Sequence, residues 1–319
     1  MIWRRLIDTR SQIKRGVTRP MNAPGWGRYL GRGFGVRTNL ITRLKRKTWT
    51  SIFGEVSWID RHGDFRTRER YGLISRANYL YGMLRAADVA KYFGKKHVTV
   101  VEFGVASGAG LLNMISLGSA VEKETGINLR IVGFDTGRGL PTVQGYKDHP
   151  ELWNAGDFAM EDRDALVRKL GGRAEIIWGD IATTVGPFTD AIDPASPLGF
   201  ISVDVDIYSA TRASLSCLTG RAEKYNPAVS MYFDDVSFFF ANEWAGELAA
   251  IAEFNAEHEL RKIGRDRSLP GHRPVKAETW YPAMYVCHVL DHEARQRPRE
   301  RQELTIEAHA DFMRSQALF

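Results

Sequence analysis

The chain has 319 residues, 44% of them hydrophobic, enough for one α/β core of roughly 200 to 250 residues plus an appendage. Its net charge of +6 is unevenly placed: residues 1–47 hold 13 Lys/Arg against the single acid Asp8, a charge of +12, and the remainder carries −6. No apolar run approaches the roughly 18 residues that span a bilayer, and no secretory h-region opens the chain. A soluble, cytoplasmic protein is therefore expected, with the basic arm available for contact with a membrane surface or another polyanion. Cys217 and Cys287 fall on a predicted helix and a predicted strand, so they read as small buried hydrophobes and suit a reducing compartment.

In chain order, residues 1–47 read as a basic arm that opens on a short amphipathic pattern, Met1 to Ile7, continues through Gly25 to Gly35, too glycine-rich for a helix or core strand, and is expected to be partly disordered. Residues 48–94 read as a helical cap or extension. There Tyr79, Leu80, Met83, Leu84, Ala87, Val89, Ala90 and Phe93 make a broad apolar stripe, expected at a sheet edge or over the site. Residues 95–292 alternate strand and helix signals. The predicted strands are His97 to Gly104, Leu129 to Asp135, Ala174 to Asp180, Gly199 to Asp206, Ala228 to Asp235, Glu259 to Ile263 and Met284 to Leu290. Leu111 to Glu124, Asp162 to Leu170, Thr211 to Leu218 and Asn242 to His258 read as helices between them, and residues 293–319 as a helical tail. Seven strands alternating with helices predict an α/β fold with a doubly wound, mostly parallel sheet whose ligands sit at the carboxyl ends of the strands.

The first predicted strand ends in Glu102-Phe-Gly104-Val-Ala-Ser107-Gly108-Ala-Gly110 and runs into a helix. Glycine there lets the backbone turn sharply and approach a ligand closely, as cofactor loops require. Carboxylates then recur at strand ends: Glu102, Asp135, Asp180, Asp204 with Asp206, and Asp234 with Asp235. Acids are depleted within strands, so a ligand-facing rim made of them is a functional signal. An acidic rim disfavours a phosphate cradle and favours a cationic ligand, a metal ion, or both. The segment from Gly145 to Phe158, polar and aromatic, reads as a lid, and Tyr208, Trp244, Trp280 and Tyr281 as either acceptor-pocket or core aromatics. No histidine pair shows metal-ligand spacing.

These residues resemble the class I S-adenosylmethionine-dependent methyltransferases, a Rossmann-like fold. The resemblance implies that Glu102, Gly104, Ser107, Gly108 and Gly110 receive the methionine part of the cofactor, that Asp135 grips both ribose hydroxyls, and that Asp180 and Ile181 face the adenine. Over about residues 95–292 the chain more closely resembles the macrocin O-methyltransferase group, through Phe134-Asp-Thr-Gly-Arg-Gly-Leu-Pro141, Asp204-Val-Asp206-Ile-Tyr208-Ser-Ala-Thr211 and Phe233-Asp234-Asp235. That likeness implies Asp204, Asp234 and Asp235 as magnesium ligands and Asp206 as base. Magnesium prefers such hard oxygen ligands, and a bound metal lowers the pKa of an attacking hydroxyl. The expected activity is O-methylation of a sugar, glycolipid or secondary metabolite. Two alternatives stay open: an RNA methyltransferase in which the arm's arginines meet phosphates while Trp3, Trp26, Tyr29 and Phe34 stack on bases, and a non-enzymatic cofactor-binding module docked by the arm.

Overall fold

A computed structural model of the chain describes residues 54–296. The expectations for the basic arm and for all but the first turn of the tail concern residues outside that range. The elements in order are helices α1 (residues 54–62), α2 (Phe65–Arg70) and α3 (Ala77–Tyr92), strand β1 (His97–Phe103), α4 (Ala109–Thr125), β2 (Asn128–Asp135), α5 (Arg163–Leu170) and β3 (Glu175–Trp178). Then follow α6 (Ile181–Ala191), β4 (Leu198–Val203), α7 (Tyr208–Leu215), β5 (Tyr225–Phe233), α8 (Gly246–Glu257), β6 (Arg261–Arg265) and β7 (Met284–Val289). All seven expected strands are present within a few residues of their predicted ends.

The strands form one sheet in the order β3-β2-β1-β4-β5-β7-β6. Every pairing from β3 to β5 is parallel; β7 inserts antiparallel to both β5 and β6. This is the Rossmann-like architecture expected from the alternation, with chain order reversing between β1 and β4, where open parallel sheets bind ligands. The central strands are apolar on both sides, β4 being buried along its whole length, because helices cover both faces. On one face α3 and α4 pack together, Gly118 of α4 against Ile131 and Leu129 of β2. On the other, Phe188 of α6 stands edge-on to Phe134 of β2 at 5.1 Å, beside Phe103 of β1.

Two elements differ from the sequence reading. Of the two expected placements for helix α3 the edge is not the one taken: it lies over the central strands β1, β4 and β5, with Arg76 at its start bordering the cleft described below. Of its stripe, Tyr79, Leu80, Met83, Leu84, Ala87 and Ala90 are buried in the main core, whereas Val89 is half-buried and Phe93, just past the helix, is exposed; Gly82 lets the helix settle onto the Phe200 ring. Helix α6 is not among the expected elements, because β-branched residues and Gly186-Pro187 lower helix propensity. Burial of Ile181, Val185, Phe188 and Thr189, at helical spacing on one face, overrides that preference. Farther out, Arg273 forms a buried ion pair with Glu69 of α2, and Trp280 and Tyr281 pack around its guanidinium. Those two aromatics therefore serve the core and do not line the ligand cleft described below. Cys217 and Cys287 are buried free thiols, as expected.

The contact at Gly82 gives a direct test of how α3 is seated. A Cβ there would lie 2.1 Å from Phe200 Cε2. Gly82→Ala is expected to lower stability by about 1–3 kcal/mol through overpacking, read as a fall in Tm, and Phe200→Leu in the same chain should recover part of it. An unchanged Tm in Gly82→Ala would show that the helix seats otherwise.

Candidate active site

The site is built where β1, β2 and β4 end together. After Phe103 the chain turns at Gly104 (φ +87°), whose N–H donates to Phe134 O at 3.0 Å. A Cβ on Gly104 would stand 1.7 Å from the Asp204 carbonyl oxygen, so no other residue fits between the two strand ends. Gly110, in the first turn of α4, is required for the same kind of reason, since its Cβ would lie 1.8 Å from Glu102 Oε1. Gly108 (φ +82°) has a different neighbour: its Cβ would meet Leu166 of α5, so this glycine serves helix packing and stands outside the cleft lining. Ser107 is exposed at the cleft mouth.

Asp135, at the end of β2, holds this loop. Its Oδ2 accepts from Val105 N (2.9 Å) and Ala106 N (2.8 Å), and its Oδ1 accepts from Gly137 N. A carboxylate offers about four lone-pair positions, and three are engaged. The resemblance implies that both oxygens grip a diol; the geometry makes Asp135 first a clamp on the loop, with acceptor capacity left on Oδ1 alone. Asp180 is the N-cap of α6, its Oδ1 accepting from Ala182 N at 2.9 Å; its side chain is exposed, and Ile181 is the residue that reaches the cleft. Capping accounts for an acid at that position, and it went unseen because the helix itself did.

The resulting cleft, about 270 Å³, is lined by Glu102, Asp135, Asp204 and Asp206 among others, with Arg76 the only basic residue of its lining. Glu102 is buried. Its Oε1 accepts from Tyr79 OH at 2.7 Å while Oε2 is buried without a partner, and burial pushes the carboxyl up to about 7 against the opposing effects of that hydrogen bond and of the Arg76 charge. Ser202 Oγ donates to Tyr79 OH at 3.0 Å, which links the network to β4.

Carboxylate oxygens of Asp204, Asp206 and Asp235 all lie within 4.8 Å of one another. Burial pushes the Asp204 and Asp235 carboxyls well up, and the acids around them push the same way, Asp234 most strongly on Asp204 and Asp206 most strongly on Asp235. Burial and Asp234 likewise raise Asp206. Asp206 also has left-handed backbone (φ +61°), a strained conformation for a residue with a side chain and one that recurs at functional sites. The grouping differs from the expected set of Asp204, Asp234 and Asp235. Asp206 joins the cluster, while Asp234 stands beside it, its Oδ1 accepting from Tyr232 OH. Three converging carboxylates, with Asp235 Oδ2 buried and unpartnered, make a hard-oxygen donor set that fits a divalent cation.

Several site residues were not legible in the sequence. Glu247 of α8 is buried, takes the Asp235 N–H on Oε2 at 2.9 Å, and leaves Oε1 unpartnered; burial, then the charge of Asp235, pushes its carboxyl up. Asp148 pins the segment read as a lid: buried, it accepts from Gln144 N (2.6 Å), Ser209 N (2.7 Å) and Ser209 Oγ (3.0 Å) at the start of α7. That segment is thus anchored at Asp148, and Phe158 at its far end lines the cleft. Tyr208 donates to Glu253, and Trp244 is 76% exposed.

The chain matches no family model and no curated protein. Among solved structures it is similar to the calicheamicin methyltransferase CalS11, with 18% identity and a TM-score of 0.45 over 84% of this chain and 99% of that one. The O-methyltransferase NovP aligns with 59% of this chain and 76% of its own at 17% identity and a TM-score of 0.44. A structure described as "cmcI-D160 Mg-SAM" aligns with 63% and 69% at 12% identity and a TM-score of 0.35.

The buried Glu102 makes stability depend on pH with a definite sign. Its folded pKa lies above its ordinary 4.5, so the folded state holds the proton longer and stability falls as pH rises from about 4.5 to about 7. Glu102→Gln removes that charge. Its Tm advantage over the wild type is expected to be small at pH 5 and to widen to the equivalent of about 3 kcal/mol by pH 8. A difference that does not vary with pH would show that Glu102 is ionised throughout.

Proposed function

We propose that the protein is an S-adenosylmethionine-dependent O-methyltransferase, assisted by magnesium, that acts on a hydroxyl of a sugar, glycolipid or secondary metabolite. One observation carries this reading: the glycine loop clamped by Asp135 and the carboxylate cluster of Asp204, Asp206 and Asp235 meet at a single cleft, at the point where the sheet reverses order. The cleft is acidic. That suits a donor with a sulfonium and an ammonium and no phosphate, and Ile181 supplies an apolar wall for its base.

The transfer needs three things of this chain. The donor is held by close backbone approach along Gly104–Gly110, with the free acceptor position of Asp135 Oδ1 available to one ribose hydroxyl. The acceptor hydroxyl is placed beside Asp206, which together with Asp204 belongs both to the cluster and to the cleft lining. As the hydroxyl oxygen forms its bond to the methyl carbon, the carbon–sulfur bond breaks and its electron pair stays on sulfur. The hydroxyl proton passes to the Asp206 carboxylate, which serves as the general base. Asp204 and Asp235, common to the expected set and the observed cluster, would hold the cation with Asp234 beside them. A divalent ion bound there would lower the pKa of a nearby hydroxyl and offset the mutual repulsion of the acids.

The test is methyl transfer from labelled S-adenosylmethionine to a panel of sugar-bearing and phenolic hydroxyl acceptors. Asp206→Asn is expected to lower kcat by about 10²- to 10⁴-fold with little change in cofactor affinity. Asp235→Asn should weaken magnesium activation while sparing cofactor binding. Full activity in excess chelator would remove the metal from the reading, and binding of a nicotinamide dinucleotide in place of S-adenosylmethionine would remove the donor.

A further inference from the structure

Asp206 occupies a backbone conformation that its side chain disfavours. Ile207 N donates to Val205 O at 2.6 Å, a bond across a single residue, and with φ +61° at Asp206 it closes a γ-turn of the rare, strained kind. Such a turn persists only where the structure on both sides over-determines it. Upstream, Asp204 N is tied to Phe103 O at 2.9 Å and Val205 is buried. Downstream the chain enters α7 at once, with Ile207 as the N-cap residue. Isoleucine carries no acceptor for the unpaired N–H groups of a first helical turn. The cap comes from another segment: Asp148, 61 residues earlier, takes Ser209 N on Oδ1 at 2.7 Å and Ser209 Oγ on Oδ2 at 3.0 Å. Asp148 is itself held, since it is fully buried and its Oδ2 also takes Gln144 N at 2.6 Å. Beside it, Lys147 pairs with Glu253 of α8, the acid that receives the Tyr208 hydroxyl. The segment therefore grips both of the first two residues of α7. Its neck is closed by Leu140 N donating to Asp157 O and Gly156 N to Leu140 O, both at 2.8 Å.

We propose that Asp148 is a positioning residue for Asp206: by capping α7 from outside the helix, it holds the γ-turn that presents the Asp206 carboxylate to the cleft. This assignment rests on the reading of Asp206 as the base of methyl transfer. Asp148 itself stands outside the cleft lining, so its effect on the chemistry passes through the backbone of residues 206–209. Without the cap, Ser209 N loses its acceptor, the first turn of α7 is no longer fixed, and the turn at Asp206 relaxes toward negative φ. The carboxylate then leaves its line to the acceptor hydroxyl, and a misplacement of about 1 Å at a reacting group costs on the order of 10²-fold in rate. The same contact joins the seat of the loop to the aim of the base. Leu140 at the neck and Phe158 just past it line the cleft, so the loop that borders the ligands also sets the group that takes the proton.

A double-mutant cycle on methyl transfer tests it. Asp148→Ala is expected to lower kcat by about 10- to 100-fold while leaving the Kd of S-adenosylhomocysteine and the KM of the acceptor within about threefold, and Asp148→Asn, which keeps one carbonyl acceptor, should recover part of the loss. In the Asp206→Asn background the same Asp148→Ala change should cost less than about threefold more, because a side chain that no longer takes the proton has no aim to lose. Losses that multiply in the double variant, or a matching loss of S-adenosylhomocysteine affinity, overturn the assignment. Should Asp148→Ala fail to fold, Asp148→Asn takes its place in the cycle and the same non-additivity decides. A crystal structure of Asp148→Ala reads the cap without activity: Asp206 is expected to leave the left-handed region, and a φ retained near +61° overturns the proposal. Wild-type protein that methylates no hydroxyl acceptor overturns the functional reading and the assignment with it, an outcome distinct from a failure confined to the variants.

Discussion

The site depends on how closely the turn after β1 approaches the end of β4. Gly104 and the Asp204 carbonyl leave no room for a Cβ, and the pairing is fixed on both sides, by Asp204 N donating to Phe103 O and Gly104 N to Phe134 O. Asp135 then reaches from the third strand end to hold Val105 and Ala106. Three parallel strands therefore converge on one loop, and its shape is set by the protein's own hydrogen bonds. A ligand entering such a cleft meets preorganised groups and loses less free energy to ordering them.

That convergence concentrates charge. Glu102, Asp204, Asp206, Asp235 and Glu247 lie close together at the carboxyl end of the sheet, and burial raises the carboxyl of each. The fold offers them few donors: Tyr79 serves Glu102, the Asp235 backbone serves Glu247, and Tyr232 serves the adjacent Asp234. Oxygens on Glu102, Asp235 and Glu247 are left buried and unpartnered. Buried acids without partners destabilise a fold unless something positive or a proton meets them. Their grouping around one cleft is the usual sign that a site is built for its ligands at some cost to stability.

The two faces of the sheet divide the labour. On the face covered by α3, a polar chain runs from Arg76 through Tyr79 to Glu102 and Ser202, two residues before Asp204. On the other face Phe103, Phe134 and Phe188 pack as a conventional aromatic core. Seating α3 over the central strands is what brings its first turn to the cleft.

The sequence by itself determined the strands, the glycine turn and the acids at the strand ends. Those signals are local: β-branched runs mark buried strands, glycine marks a turn, and an acid at a strand end stands out against strand composition. The sequence also carried the apolar stripe of α3 and the 3.6-residue spacing of Ile181, Val185, Phe188 and Thr189. It did not decide where the first would pack, and the weak propensity of the second hid a helix whose cap is Asp180. Only the tertiary structure assigned Asp135 to the loop, brought Asp206 into the cluster with Asp204 and Asp235, and placed Arg76, Tyr79, Asp148 and Glu247 around the site. The reason is physical: what a carboxylate does depends on which donors, charges and empty space surround it, and those come from segments up to more than a hundred residues away in the chain.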